Sequence, residues 1–218
     1  MFQLSISAAC AYVRKVLDEL ISVEEIGMLV SPDAVDIHKL VEGAIVESAV
    51  KVHNLAPAIM LDGVKGTQDK DYEAKFDDKD ENVIVIKMKR DTIRVTSVKA
   101  DDSNIVVCDF LPEDSAEARK QLNQYVRGIP DDPRVVLAKV WNDNYQPVLR
   151  YYTSKSNTAK VDLYYVPYPE INETIVEICP KLEYAVLNEI AASVLDSLDE
   201  HEKAKLYREK AMAYMEGR

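Results

Sequence analysis

The spacing of apolar positions changes character along the chain. From Ser7 to Ile21, Val13, Val16, Leu17 and Leu20 fall at helical offsets and predict a first amphipathic helix. Ser31-Pro32-Asp33 then reads as a helix start, with Ser as N-cap, Pro at the first helical position and Asp near the positive end of the helix dipole. Ile37, Leu40, Val41, Ala44, Ile45, Ser48 and Val52 hold one face until Pro57, which has no N–H to continue the ladder. The spacing predicts a core helix of about six turns.

Between Leu61 and Asn82, with Gly63, Gly66 and the run DKDYEAKFDDKDEN, no period is evident, and a long exposed acidic loop is expected. Short β segments follow: VIVIKMK from Val83, TIRVTSV from Thr92 and NIVVCDF from Asn104, the last two joined as a hairpin by the polar stretch Lys99 to Ser103. A short helix is predicted from Asp114 or Ser115, with Ala116, Ala118, Leu122 and Tyr125 inside it, ending at Gly128. Three more strands begin at Arg134, Pro147 and Lys160, with turns at Asn142-Asp143-Asn144 and Lys155-Ser156-Asn157, and TIVEICP leads into the last stretch.

After Pro180 the pattern is helical again. Leu182, Ala185, Val186, Leu187, Ile190, Ala191, Val194, Leu195 and Leu198 are too many for one stripe, so this helix should be covered from more than one side. Asp199 with Glu202 has capping-box spacing and restarts a helix almost at once. That last helix places Ala204, Tyr207, Ala211, Tyr214 and Met215 on one face and Lys203, Lys205, Arg208, Glu209, Lys210 and Glu216 on the others. The strands gather in the middle and do not alternate with helices. The expected fold is α+β: a helical bundle body (residues 1–60 and 178–218), a flexible acidic loop (61–82), a central β-rich insertion with one short helix (83–177) and a C-terminal antiparallel helix hairpin.

Charge narrows the function. The chain has 38 Asp and Glu against 27 Lys and Arg, a formal net charge of −11. Docking on a DNA backbone depends on Lys and Arg releasing counterions, so a surface this acidic argues against it, although not against a channel wall that DNA slides past. The start, MFQLSISAACAYVRK, has neither a basic n-region nor a long apolar run, and no later segment reads as a membrane span, so a soluble protein made in the cytoplasm is expected. Cys10, Cys108 and Cys179 form no metal-binding pair and read as reduced, partly buried thiols.

Candidate chemistry is sparse. His38, His53 and His201 each stand alone, and on one helix His38 and His53 would lie about four turns apart, too far to share a metal or a proton. Asp62-Gly63-Val64-Lys65-Gly66 lacks a Walker loop's length and terminal hydroxyl. The acidic run lacks the glycine of an EF-hand loop and is interrupted by lysines. No catalytic, cofactor-binding or metal-binding residue is assigned. Tyr151, Tyr152, Tyr164 and Tyr165 sit on adjacent predicted strands. Cross-strand pairing explains them better than base stacking, with one ring of each pair facing outward as a candidate partner surface.

Three passages together resemble the head-to-tail adaptor, or connector-ring, proteins of short-tailed and crAss-like phages: DAVDIHKLVEGAIVESAVKVHNLAP, PVLRYYTSKSNTAKVDLYYVPYPE and ICPKLEYAVLNEIAASVLDSLDEHEKAKLYREKAMAYMEG. The last is similar to the helix pair that closes such adaptors, through Ala191, Ala192, Val194, Leu195, Ser197, Leu198, Glu200, Glu202, Lys203, Ala204 and Tyr207. The resemblance implies a non-enzymatic structural protein of the virion head-tail junction, made in the host cytoplasm. It would form a ring with itself, of about twelve copies by analogy with the family. Its partners would be the portal protein and downstream tail or ring proteins, with DNA passing through the channel unbound. Lys203, Tyr207, Arg208, Lys210, Tyr214, Tyr152 and Tyr165 are the candidate assembly interface. Two other classes stay open: a protein-binding scaffold or regulatory module using exposed tyrosines, and a small metal-dependent enzyme built on Asp77, Asp78 and Asp80.

Overall fold

The structure, a computed structural model, describes residues 2–20, 36–101, 103–129, 131–138, 146–152, 159–169, 171–172 and 174–217. It is a mixed α and β fold with a C-terminal helix pair. The chain divides into two compact units, Met1–Asp62 with Pro169–Arg218, and Gly63–Tyr168.

In the first unit, strand β1 (Phe2–Ser5) runs straight into helix α1 (Ile6–Leu20). β1 pairs antiparallel with β11 (Ile175–Ile178), which also pairs with β10 (Ile171–Asn172). The sequence reading missed β1, whose pattern is too short to register as a period. Helix α2 (Ile37–Leu55) is capped by the Asp36 carboxylate, which accepts from the N–H groups of His38 and Lys39. The expected start at Ser31-Pro32-Asp33 lies outside the described residues, while the stop before Pro57 is as expected.

Helix α4 (Glu183–Ser197) is the centre of this unit and packs on α1, on α2 and on α5 (His201–Met215). Ala185, Val186, Leu187, Ile190, Ala191, Ala192, Val194 and Leu195 are all buried, so the helix has no wide polar stripe, as the sequence implied. Each fully buried Val, Leu or Ile is worth about 1.5–3 kcal/mol relative to exposure.

The turn between α4 and α5 differs from expectation. Asp199 is not an N-cap. It takes the left-handed conformation, with φ 59°, and closes α4. The Glu200 N–H donates to Leu195 O at 2.9 Å and the Asp199 N–H to Asp196 O at 3.1 Å, the paired bonds of a Schellman turn. Glu200 starts α5 with no side-chain cap, so the capping-box spacing is unused. In so short a turn the unsatisfied carbonyls of α4 come first, and one left-handed residue satisfies two of them.

The described residues of the second unit form two sheets. One has the order β3-β4-β8-β7-β6, from β3 (Tyr72–Asp77), β4 (Asp80–Met88), β6 (Leu111–Pro112), β7 (Arg134–Ala138) and β8 (Val148–Tyr152). The other has the order β2-β9-β5, from β2 (Val64–Lys65), β5 (Thr92–Ala100) and β9 (Val161–Pro167). All pairs are antiparallel except β6 with β7. Tyr72, Ile84, Ile86, Leu149 and Tyr151 of the first sheet share one core with Val95, Val98, Leu163 and Tyr165 of the second. On the other face of the five-stranded sheet, Val83, Val136 and Tyr152 pack with Ala118 of helix α3 (Ala116–Lys120).

Four expectations are corrected here. Residues 61–82 are not one acidic loop: Tyr72, Ala74 and Phe76 alternate with charged residues, and β3 pairs with β4 from Tyr72↔Met88 onward. The charged outer positions hid a period of two. NIVVCDF is not a strand. Only Val107 bridges to Val98, and Ile105 and Val106 are exposed. Helix α3 starts close to the expected position, capped by Ser115, but ends at Lys120, leaving Leu122 and Tyr125 outside it. TIVEICP belongs with the helices and not with the insertion, because β11 pairs with β1. The turns placed at 142–144 and 155–157 lie outside the described residues.

Candidate assembly surface

Helix α5 carries Lys203, Tyr207, Arg208, Lys210 and Tyr214 of the residues singled out for assembly, and its packing sorts them. Ala204, Tyr207, Ala211 and Met215 are buried, so Tyr207 forms the seam and not an outer contact. Tyr214, expected in the seam, is 40% exposed. Its ring centroid stands 5.7 Å from that of Tyr184 at the head of α4. Lys203 Nζ is 3.2 Å from Glu200 Oε2. Arg208 turns inward to Asp196, with its Nε 3.6 Å from Glu189 Oε1. Lys210 makes no ion pair among the described residues, and its Nζ sits 4.0 Å above the Tyr207 ring.

A recess of about 400 Å³ opens here, lined by Tyr184, Asn188, Lys210, Ala213 and Tyr214. Its floor is fixed. The Asn188 side chain accepts from Tyr12 Oη at 2.9 Å and donates to Tyr184 O at 2.7 Å. Sequence reasoning missed Tyr184, Asn188 and Tyr12. The signal was a tyrosine and an amide set among the apolar positions of α4, where a buried polar group needs a partner.

The strand tyrosines do not form an outer surface as a set. Tyr151, Tyr152 and Tyr165 are buried, and of the four only Tyr164 is exposed. Tyr151 and Tyr152 point to opposite faces of a sheet covered on both sides, which removes the expected outward ring. Tyr152 and Tyr165 are therefore core residues. Burial also lifts the Tyr165 hydroxyl, and it lifts Tyr72, which donates to Val161 O at 2.5 Å, to about 12.

The second unit has an exposed apolar group, of which the sequence reading placed Leu122 and Tyr125 inside a helix. Leu122, Tyr125, Val126 and Ile129 are 72%, 88%, 60% and 55% exposed. Their loop is firmly held. Gln121 accepts from the Gly128 N–H at 2.8 Å and donates to Glu117 O, while Arg127 Nη1 lies 2.6 Å from Asp80 Oδ2. Ile129 and Asp132 exchange backbone hydrogen bonds. Their helical spacing resembles that of a core face, so no sequence signal marked them as exposed.

The remaining candidates serve structure. Burial raises the Asp80 carboxyl, but the bonds from Arg127 and the Asn82 N–H outweigh it and leave it below its ordinary value. Asp77 accepts from the Lys79 N–H in the β3–β4 turn. Among the described residues no group of three or more His, Cys, Asp or Glu could hold a metal ion. His53 is buried. Its Nδ1 is 2.7 Å from Ala49 O and its Nε2 accepts from the Cys179 N–H at 3.0 Å, which assigns the proton to Nδ1. Cys10 and Cys179 are buried free thiols and Cys108 is exposed.

Charge is unevenly divided. Residues 1–62 and 169–218 contain 20 Asp and Glu against 10 Lys and Arg, whereas residues 63–168 contain 18 against 17. Among the described residues no helix is long and apolar enough to cross a membrane. Compared with protein-family models and with curated proteins, the chain matches none.

Proposed function

We propose that this chain is a structural virion protein that forms a ring beneath the portal, joins phage head to tail and extends the DNA channel. The observation that carries this reading is the α4–α5 hairpin. The residues through which it resembles adaptor proteins fall where a rigid wall needs them: Ala191, Ala192, Val194 and Leu195 inside, Ala204 and Tyr207 in the seam, and Glu200 paired with Lys203 at the turn. Two further features support it. The strand-rich unit is inserted in sequence between two helical stretches. The excess of carboxylates in the first unit suits a channel lining that repels phosphates and lets DNA slide. The ring is a homo-oligomer of about twelve copies by analogy with the family. The portal protein sits above it and tail or ring proteins below, and its role is assembly, not chemistry.

Mass photometry and negative-stain microscopy of the purified chain, alone and with the portal protein of the same genome, test the reading. Rings that form or stack on the portal are the expected result. A chain that stays monomeric in both samples and never joins phage particles overturns it.

A further inference from the structure

We infer that the recess between α4 and α5 is the socket of the contact between copies, and that the apolar loop Leu122–Ile129 of a neighbouring copy is its occupant. The inference rests on the ring reading above and gives it a specific interface.

Charge points to the occupant. In a unit with two carboxylates for every Lys or Arg, Lys210 has no carboxylate among the described residues and rests on the Tyr207 ring. A cation held this way is aimed and only partly satisfied, so a carboxylate brought to the mouth of the recess completes it. The rest of the lining, Tyr184, Ala213 and Tyr214, is largely apolar, and its polar member Asn188 already has two partners. The socket therefore takes a large apolar or aromatic side chain followed closely by an acidic one.

The chain carries such a segment on its own surface. Tyr125, Val126 and Ile129 stand exposed on a loop fixed from both ends, and Asp131 follows, exposed and without an ion pair among the described residues. A fixed loop loses little entropy on docking, and tyrosine is among the residues that dominate interface energy. Socket and loop are different surfaces, so one copy can engage two different neighbours through them. Each copy offers its loop to one neighbour and its socket to the other, a head-to-tail contact that closes into a ring when the rotation closes.

Charge reversal tests this on the full chain by mass photometry. Lys210→Glu should weaken ring formation at least tenfold, and Asp131→Lys in the same chain should restore it. Lys205→Glu, on another exposed face of α5, should leave rings intact. Melting curves of the three variants matching that of the parent confirm that folding is not the cause. A second arm pairs Tyr125→Cys with Ala213→Cys in a Cys108→Ser background, where oxidation should produce a ladder of linked chains. Rings that survive Lys210→Glu, or a cross-link that closes within a single chain, overturn the inference and leave the ring reading standing. A parent chain that forms no ring overturns both.

Discussion

Lys51 Nζ lies 2.5 Å from Glu189 Oε1 and joins the middle of α2 to the middle of α4. Glu189 is 4% exposed and the same oxygen lies 3.6 Å from Nε of Arg208 in α5, so one carboxylate links three helices. Removing one member of a buried pair costs more than the pair contributes, because the other charge is left desolvated. Here the two sides differ: the Glu189 side chain is 6% exposed and that of Lys51 45%. Lys51→Ala, which leaves the buried Glu189 carboxylate with Arg208 alone, should therefore destabilise by roughly 1–3 kcal/mol, and Glu189→Ala, which leaves a half-exposed Lys51 open to water and Arg208 still paired with Asp196, by less than about 1 kcal/mol. Urea titrations followed by circular dichroism compare them, and equal losses would contradict the assignment of Glu189 as the shared centre.

Asp199 occupies a conformation in which its Cβ crowds the backbone, a strain of about 1–2 kcal/mol for most residues and less for Asp. Asp199→Gly should keep the Schellman turn and raise stability by roughly 0.5–1 kcal/mol, while Asp199→Val should lower it by about 1–2 kcal/mol. The carboxylate is 3.9 Å from His201 Nε2, with both side chains largely exposed, so losing that pair does not reverse the sign. Thermal melts of the two variants should move in opposite directions.

The helices were legible because burial writes a period into them. α4 announced its central place through the absence of a polar stripe, and α2 its end through Pro57. What the sequence hid has specific causes. In β3 the apolar residues alternate with charges so dense that they resembled a loop. β1 is four residues long and exists because β11 lies beside it, which no local pattern records. Leu122 and Tyr125 have the spacing of a helical core face but stand exposed. The two tyrosine pairs read alike, yet one lies on a strand covered on both faces and the other keeps Tyr164 outside. Of the candidate surface, Lys210 and Tyr214 were visible as outer-face and aromatic positions. Tyr184 and Asn188 became part of it only when α4 and α5 were seen side by side.

Two glycines separate the role of space from that of conformation. A Cβ at Gly128 would stand 2.6 Å from both Arg134 N and Tyr152 O, backbone atoms of two paired strands that cannot yield independently. Gly128→Ala should cost at least about 2 kcal/mol and release the apolar loop from its anchor. At Gly43, in the exposed face of α2, an added Cβ meets nothing within 4 Å. Gly43→Ala should stabilise by roughly 0.5–1 kcal/mol through helix propensity alone. Limited proteolysis near residues 122–129 should accelerate in the first variant and not in the second.

His53 and His201 should give stability opposite dependences on pH. Burial pushes His53 below its ordinary 6.5, partly countered by its bond to Ala49 O. As acid is added, the unfolded chain takes up a proton near that pH before the folded one does. The contribution of His53 is therefore complete above about pH 6.5 and lost as pH falls toward the folded value, with a slope of at most about 1.4 kcal/mol per pH unit. His201 is raised by its hydrogen bond to Asp196, so its contribution is complete below pH 6.5 and lost as pH rises through the folded value. Melts between pH 5 and 8 on His53→Gln and His201→Gln resolve the two. The first should flatten the acid side of the profile, and the second should flatten the neutral side. A parent-like acid slope in His53→Gln would show that the His53–Cys179 clip does not exclude the proton.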